Sequence, residues 1–341
     1  MGSGTVRSME EFATLSGISR PTLSKYFNNP NSVRQSTRTK IEKALEKFDY
    51  QPNIFAINQN RKLTKNIGIV VPFLADPFFA EMARTIERRC LDAGFWPMLF
   101  SSHGDPELEK DILGSLRALK AAGVLLAPLG KTSDRAHLEK FCGDVPTVLF
   151  DSSVEGLGEA FVGSNNFQSV PMMVEYLCRT GEPPCFLEMP PLNPNANKRR
   201  NAYCQAMEQL GHTPQVVRVD GENWSFEEIG FRGGQKTLEE GVFDTNTVLC
   251  SNDRLAIGFL SACFERGLKV GYANDCSIRV AGHDDHPFSR FTCPSLTTIG
   301  QDYESISNLS VETLFSRIEN GPLPERVETL FDGNLIMRGS A

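Results

Sequence analysis

Short apolar runs rich in β-branched residues alternate with amphipathic helical segments from Asn66 onward, and this alternation restricts the possible folds more than any other feature. NIGIVVPF begins at Asn66 and precedes a helical segment that ends at Gly94, and GVLLAPL and VPTVLFDSS follow in the same rhythm. The rhythm repeats in the second half of the chain, in PCFLEMPP, TNTVLCSND and SIRVAGHDD. Unbroken apolar runs separated by helices are typical of parallel sheets that are covered on both faces. The sequence therefore predicts an α/β body made of two similar halves.

Two α/β halves in one chain usually hold a ligand between them, outside the carboxyl ends of their strands. In this sequence the predicted strand ends carry side chains that can form hydrogen bonds. They are Asp76, Ser101, Ser102, Asp151, Asn252, Asp253, Asp284 and Asp285.

The first 50 residues have a different pattern, which predicts three short helices. Ser8 and Glu11 form a capping box before an apolar helical face, and Gly17 ends that helix with a tight turn. Ser19 then caps a second helix that begins at Arg20, and STRTKIEKALEKFDY is a third amphipathic stretch. A helix followed by a short glycine turn and a second helix is typical of a helix-turn-helix motif. The sequence therefore predicts a small all-α headpiece that contains this motif.

Charge is divided unevenly between these two parts. Residues 1–65 contain 11 Lys and Arg against 5 Asp and Glu, whereas the remainder contains 24 against 37. A basic headpiece on an acidic body predicts a phosphate-binding module attached to a part that does not itself contact nucleic acid.

Length and composition limit the other functions. A chain of 341 residues is long enough for a headpiece and two further domains. No apolar run approaches the ~20 residues that span a bilayer, and MGSGTVRSMEEF lacks the apolar segment of a signal peptide, so we expect a cytoplasmic protein without a membrane partner. The nine cysteines include no C-x-x-C pair and are expected to be reduced.

Catalytic and metal-binding signals are weak. The sequence has no Ser-His-Asp order, phosphate-binding G-x-x-x-x-G-K or nucleophile elbow, so we expect no enzyme. HDDH at His283 to His286 raises a metal site as an alternative, but no other His or Cys stands at comparable spacing. We expect neither a metal nor a cofactor.

Six segments carry a family resemblance: GISRPTLSKYFNN, YQPN, KNIGIVVPFLADPFFAEM, VLCSNDRLAIGFL, RVAGHDD and PSLTTIGQD. In this order they resemble the LacI/GalR-type transcriptional repressors over nearly the whole chain. The resemblance implies a helix-turn-helix headpiece at 1–52, a hinge at 53–65 and two periplasmic-binding-protein-like subdomains. The N-terminal subdomain would comprise 66–162 and 296–321, and the C-terminal one 163–295 and 322–341. It also implies a homodimer whose affinity for its operator is changed by an effector in the cleft.

The resemblance places the DNA contacts mainly on the second helix. Arg20 can donate two hydrogen bonds to guanine, whereas Pro21 can make only apolar contacts. Gln59 stands in the hinge where relatives usually have a leucine that wedges into the minor groove, and glutamine is a poor wedge. Either the DNA kink is weaker, or Ile57 or Phe55 takes part, or the linker does not order. We expect a near-palindromic double-stranded operator that is contacted by Ser19, Arg20, Pro21, Thr22, Ser24, Lys25, Asn28 and Gln59.

The resemblance also nominates the effector contacts, in which aromatic faces and polar groups suit a polyhydroxylated ring. Spacing leaves Phe226 as an alternative to Trp224. Three aspartates face a single cation in this set, and Ser152 stands where some sugar-binding relatives have a second arginine, so anionic ligands are disfavoured. We expect a neutral sugar, glycoside or polyol, with a cationic ligand as the second choice. The nominated residues are Asp76, Phe78, Phe79, Asp151, Arg199, Trp224, Asn252, Asp284 and Gln301.

Two further expectations concern the class and assembly of the protein. A secreted solute-binding protein would share the cleft but would have no use for a basic headpiece. No heptad-bearing tail follows GNLIMRGSA, so we expect a dimer and not a tetramer.

Overall fold

The computed structural model describes residues 6, 8–28, 30–52, 64–192 and 194–341, and it divides into two compact units, 1–64 and 65–341. Gln59, Ile57 and Phe55 lie outside the described residues, as does nearly all of the expected hinge at 53–65.

The headpiece consists of three helices around one small core. Ser8 accepts a hydrogen bond from the Glu11 amide at 3.1 Å, and Gly17 adopts a left-handed φ of 63°, as the sequence predicted. The Thr22 amide donates to Ser19 Oγ at 3.4 Å in the first turn of the second helix. The helices are α1 (Met9–Ser16), α2 (Arg20–Asn28) and α3 (Gln35–Phe48), and their buried core contains Val6, Phe12, Leu23, Ile41 and Tyr50.

The first lobe of the body is built on a six-stranded sheet in which all pairings are parallel. The strand order is β2-β1-β3-β4-β5-β11. Alternate residues of β1 enter different cores, with Ile69 in one and Val70 in the other, which confirms that both faces are covered. The strands are β1 (Asn66–Val71), β2 (Trp96–Ser101), β3 (Gly123–Leu126), β4 (Thr147–Phe150), β5 (Ala160–Ser164) and β11 (Val327–Phe331), and the helices are α4 (Pro77–Asp92), α5 (Pro106–Ala118), α6 (Arg135–Asp144) and α11 (Tyr303–Asn320).

The second lobe has a four-stranded parallel sheet of order β7-β6-β8-β9. A bridge between Ala281 and Thr297 extends this sheet to β10, which pairs antiparallel with β12. The strands are β6 (Cys185–Glu188), β7 (Val216–Arg218), β8 (Thr247–Cys250), β9 (Arg279–Ala281), β10 (Thr298–Gly300) and β12 (Asn334–Ile336), and the helices are α7 (Asn166–Thr180), α8 (Pro194–Gln209), α9 (Phe226–Glu240) and α10 (Asp253–Glu265).

The strand pairing corrects the expected division of the C-terminal segments between the lobes. Residues 296–300 were assigned to the first lobe, but β10 continues the sheet of the second lobe. Residues 322–331 were assigned to the second lobe, but β11 lies beside β5, with Val327 opposite Ala160. The last crossing between lobes therefore follows Phe331, because β11 covers the otherwise open edge of β5 before the chain returns as β12.

Candidate ligand cleft and nucleic-acid interface

The first lobe presents Asp76 and two phenylalanines at the cleft, through the start of α4. Asp76 is the N-cap residue, and its Oδ1 accepts a hydrogen bond from the Phe78 amide at 3.0 Å. Pro77 occupies the first turn, where its missing N–H costs no hydrogen bond. Phe78 and Phe79 are both buried, and their rings pack edge to face with centroids 4.8 Å apart. The cap therefore fixes both the carboxylate and the aromatic wall.

Trp224 joins this wall from the second lobe. The centroid of its ring lies 6.4 Å from that of Phe73 and 6.3 Å from that of Phe79, both in the first lobe. The distance to the ring centroid of Phe226 is 5.7 Å. The sequence left Trp224 and Phe226 as alternatives, and the structure brings both side chains to the cleft.

Arg199 and Asp284 form a buried ion pair at the floor of the cleft, with Arg199 Nη2 2.6 Å from Asp284 Oδ1. Arg199 is held in place by Asn166 Oδ1 at 3.0 Å and by the Ser251 carbonyl at 2.8 Å. Gln301 Nε2 also donates to Asp284 Oδ1 at 2.6 Å. Each of the three guanidinium nitrogens of Arg199 thus donates a hydrogen bond within the protein.

The protonation states of this floor follow from the same contacts. Burial favours a higher pKa for Asp284, but the charge of Arg199 and the hydrogen bond from His283 outweigh it and lower this pKa to about 2. Burial and the charge of Arg199 lower the pKa of His283 to about 4, so its ring is neutral at pH 7. Asp284 is therefore an ionised acceptor that already has partners.

Asp151 has a different environment, at the end of β4. Its Oδ1 accepts a hydrogen bond from Asn195 Nδ2 at 3.1 Å, and the same amide donates to the Asp151 carbonyl at 3.2 Å. Burial raises the pKa of Asp151 to about 7, because Arg199 opposes the effect only in part and Asp284 adds to it. Its φ of 59° is uncommon for a residue with a side chain and occurs here at the cleft.

Asn252 caps α10 from the second lobe, with Oδ1 accepting from the Leu255 amide at 2.8 Å. Two other predicted strand-end carboxylates are engaged elsewhere. Asp253 accepts hydrogen bonds from Ser289 and Thr298, each at 2.6 Å, and Asp285 pairs with Arg338 at 2.6 Å. These two residues organise loops of the second lobe.

Arg254 is the cleft residue that sequence reasoning missed. Its Nη1 lies 3.0 Å from Asp76 Oδ2, and its Nε and Nη2 donate to Glu227 at 2.7 and 2.6 Å. Burial raises the pKa of Asp76, and Arg254 opposes that rise. Arg199 is the one cation among the described residues that line the cleft, as expected, but a second arginine that was not nominated reaches Asp76 from the other lobe. Arg254 stands two residues after the Asn252 cap, in the first turn of α10, and this position beside a nominated residue could have indicated its place near the cleft.

The structure brings all nine nominated effector residues to one cleft. The empty space among these residues is about 350 Å³, a volume that includes solvent at the open mouth of the cleft. Its lining comprises Asp76, Phe78, Phe79, Asp151, Met189, Asn195, Arg199, Trp224, Phe226, Asn252, Asp284 and Gln301.

The nominated DNA contacts lie along one helix of the headpiece. Arg20 and Lys25 are exposed, and Arg20 Nε forms an exposed ion pair with Glu10 at 3.0 Å. Ser19 and Thr22 share a hydrogen bond of 2.8 Å at the start of α2. Pro21 and Asn28 are exposed and Ser24 is half-buried, so side chains of all these residues reach the surface.

The described ranges contain neither a metal-binding cluster nor a membrane-spanning helix. No cluster of three His, Cys, Asp or Glu there could hold a metal ion. In the HDDH segment, His283 Nδ1 lies 3.1 Å from Asp284 Oδ1, and the ring of His286 packs beside Phe288. Of the helices described, none is long and apolar enough to cross a membrane.

A helix-turn-helix headpiece joined to a two-lobed α/β body with a polar and aromatic cleft defines the class of ligand-controlled DNA-binding proteins. Comparison with known proteins identifies the family. Residues 8–53 match the model of bacterial regulatory proteins of the lacI family, and residues 185–341 match the periplasmic binding protein-like domain.

Similar proteins span nearly the whole chain. The ribose operon repressor of Escherichia coli (strain K12) is 26% identical over 335 residues, covering 98% of this chain and 99% of that protein. The HTH-type transcriptional repressor PurR of Histophilus somni (strain 129Pt) is 28% identical over 324 residues, covering 94% and 95%. The crystal structure of the lac repressor dimer bound to operator and the anti-inducer ONPF has a TM-score of 0.82 at 25% identity, covering 98% of both chains.

The chain therefore belongs to the lacI family of bacterial regulatory proteins. It is a DNA-binding transcriptional repressor with an effector-binding body, and it is not an enzyme. The match at 8–53 also excludes the alternative of a solute-binding protein without DNA function.

Proposed function

We propose that this repressor responds to a small neutral sugar, glycoside or polyol bound in the cleft, and that it acts in the cytoplasm as a homodimer on a near-palindromic operator. The observation that carries the effector class is the pairing of charges in the cleft. Asp284 is compensated by Arg199 and Asp76 by Arg254, while the pKa of Asp151 is raised to about 7.

These pairings favour neutral ligands over charged ones. Arg199 and Arg254 are both buried and paired with carboxylates, so a phosphate would have to share each guanidinium with a carboxylate that repels it. A cationic ligand stays the second choice, because Arg254 is shared between Asp76 and Glu227 and the three side chains together keep one formal negative charge.

The remaining surface of the cleft suits a polyhydroxylated ring. Trp224, Phe226 and Phe79 offer apolar faces for ring C–H groups. Asn195, Asn252 and the carboxylates offer acceptors and amides for hydroxyl groups. Two similar proteins have names that refer to sugar metabolism, the ribose operon repressor and the lac repressor, which supports the same class.

A ligand screen tests the proposal. Thermal unfolding of the full chain is measured with neutral sugars, glycosides and polyols, and in parallel with sugar phosphates, carboxylates and amines. We expect a neutral compound to raise the melting temperature, since a ligand at a hundredfold excess over its Kd stabilises by about 2.7 kcal/mol. The same compound should change affinity for the upstream DNA region in a gel shift.

Two arginines on one helix supply the matched control for this screen. Arg199→Met should abolish the ligand-induced shift, because it removes the partner of Asp284. Arg200→Met should retain the shift, because Arg200 pairs with Glu188 and does not line the cleft. A shift produced only by sugar phosphates or carboxylates would contradict the proposal.

A further inference from the structure

Arg254 belongs to the second lobe but binds the first. It lies in the first turn of α10, after β8, whereas Asp76 follows β1 in the other sheet. The distance from Arg254 Nη1 to Asp76 Oδ2 is 3.0 Å, and the exposed fractions of the two side chains are 8% and 9%. The ion pair is therefore buried and connects the two lobes across the cleft.

Both ends of this connection are held rigidly. Asp76 Oδ1 is bonded to the Phe78 amide, so the carboxylate cannot turn to another partner without losing the cap of α4. Glu227 holds the guanidinium from the opposite side with two hydrogen bonds. The guanidinium carbon also lies 5.9 Å from the ring of Phe73 and 5.4 Å from that of Phe226, one ring in each lobe.

We propose that Arg254 is a specificity-determining residue of the cleft, which compensates Asp76 from the opposite lobe so that the lobes close around a site that excludes cations. This inference rests on the proposed function, since it concerns the ligand class of the same cleft. Without Arg254, the carboxylates of Asp76 and Glu227 both lose their opposite charge, and the lobes lose this buried ionic connection.

Trp224 offers a readout that requires no effector. The chain has two tryptophans, and Trp96 has an exposed fraction of 58%, so Trp96→Phe leaves a single tryptophan in the cleft. Trp224 is buried between the lobes against Phe73 and Phe79. Its fluorescence quenching by acrylamide measures opening of the cleft, and quenching by caesium and by iodide measures the sign of the local charge.

The experiment compares variants in the Trp96→Phe background, without DNA or effector. In the parent, all three quenchers should have little access to Trp224. Arg254→Met should raise acrylamide quenching several-fold and shift the emission to the red. The quenching constant for caesium should rise about two- to fivefold more than that for iodide. This factor is the local enrichment of a cation that one nearby unit of negative charge produces in water.

The controls separate access from charge. Arg254→Met combined with Asp76→Asn and Glu227→Gln should keep the increased acrylamide access but lose the preference for caesium, because both carboxylates that pair with Arg254 are then replaced by neutral amides. Arg232→Met removes an exposed arginine of α9 that pairs with Glu228, and it should leave all three quenching constants unchanged. Asp76→Asn alone retains a residue that caps helices well, so it tests the connection even where Arg254→Met does not fold.

Two results would overturn the inference. One is unchanged acrylamide quenching in folded Arg254→Met or in Asp76→Asn. The other is equal gains for caesium and iodide in Arg254→Met. A ligand screen that finds no neutral effector would contradict the proposed function and leave these fluorescence results as they stand.

Discussion

The pKa values of two carboxyl groups in the cleft shift in opposite directions, because the neighbours of the two groups differ. The positive charge of Arg199 and the His283 hydrogen bond lower the pKa of Asp284 to about 2 against the effect of burial. Asp151 forms no comparable ion pair, and burial raises its pKa to about 7. A carboxyl that is protonated near pH 7 can donate a hydrogen bond to a ligand oxygen, and an ionised one can only accept. Together the two residues can offer a bound ligand both a hydrogen-bond donor and an acceptor.

Asp151→Asn should change how stability depends on pH. The folded protein retains a proton on Asp151 up to about pH 7, whereas the unfolded chain releases it near 3.8, so the stabilising contribution is present at low pH and is lost as pH rises between these values. As pH rises from 3.8 to about 7, the free energy of unfolding of the wild type should therefore fall relative to that of Asp151→Asn. Above this window the two free energies should change with pH in the same way. Urea unfolding of both proteins at several pH values measures the difference, and a difference independent of pH would contradict the assignment.

At the scale of elements, the close packing of α9 against α10 sets the geometry of the cleft. Gly258 has no space for a side chain, because a Cβ there would lie 1.9 Å from the Glu227 carbonyl oxygen. Gly230 is equally restricted, with 2.2 Å to the Leu255 carbonyl oxygen. This backbone contact places Glu227 beside Arg254. The same pair of helices therefore supports both the ion pair and the aromatic wall at Phe226.

Gly258→Ala should destabilise the protein, because the helices must separate to admit the methyl group. A cost of about 1–3 kcal/mol or more is typical of such overpacking. Gly114→Ala is the matched control, since Gly114 lies within α5 and no atom lies within 4 Å of a Cβ placed there. That control should gain about 0.5–1 kcal/mol from the better helix propensity of alanine. Chemical unfolding measures both, and equal effects would contradict the packing argument.

At the scale of the whole molecule, the two lobes share three chain crossings, and the second lobe has exposed apolar side chains on two segments that both contact Asp285. The turn at Phe288 to Phe291 and the segment at Met337 meet around Asp285, which Arg338 contacts at 2.6 Å and Arg290 approaches at 3.9 Å. Phe291 has an exposed fraction of 75% and Met337 of 66%. Large apolar side chains that are exposed on neighbouring segments are typical of a protein interface. We propose that these segments contribute to the homodimer.

Phe291→Arg should weaken the dimer, because a charged side chain would be buried at the interface. Multi-angle light scattering should give twice the chain mass of 37.8 kDa for the wild type and a lower mass for the variant at the same concentration. Operator affinity should fall with it, since two half-sites bind a dimer far better than one binds a monomer. Phe167→Arg is the control, because Phe167 is a half-exposed aromatic at the start of α7. A wild-type monomer or tetramer would contradict the proposal.

Much of the molecule follows from short stretches of the sequence. The caps at Ser8 and Asp76, the glycine turn at Gly17 and the apolar strand runs depend on interactions within a few residues, so the alternation of elements and the headpiece could be predicted. The family resemblance added the nine cleft residues, which strand ends and loops bring together.

What the tertiary structure alone decided are contacts between residues far apart in the chain. Asp76 and Arg254 are 178 positions apart, and no local pattern indicates that one compensates the other. The placement of β10 and β11 was likewise missed, because a short strand can complete either sheet and the choice depends on which edge is open. Local periodicity determines which segments become helices and strands. The charge balance of the cleft depends on how the two lobes meet, since an ion pair is defined by distances that only packing sets.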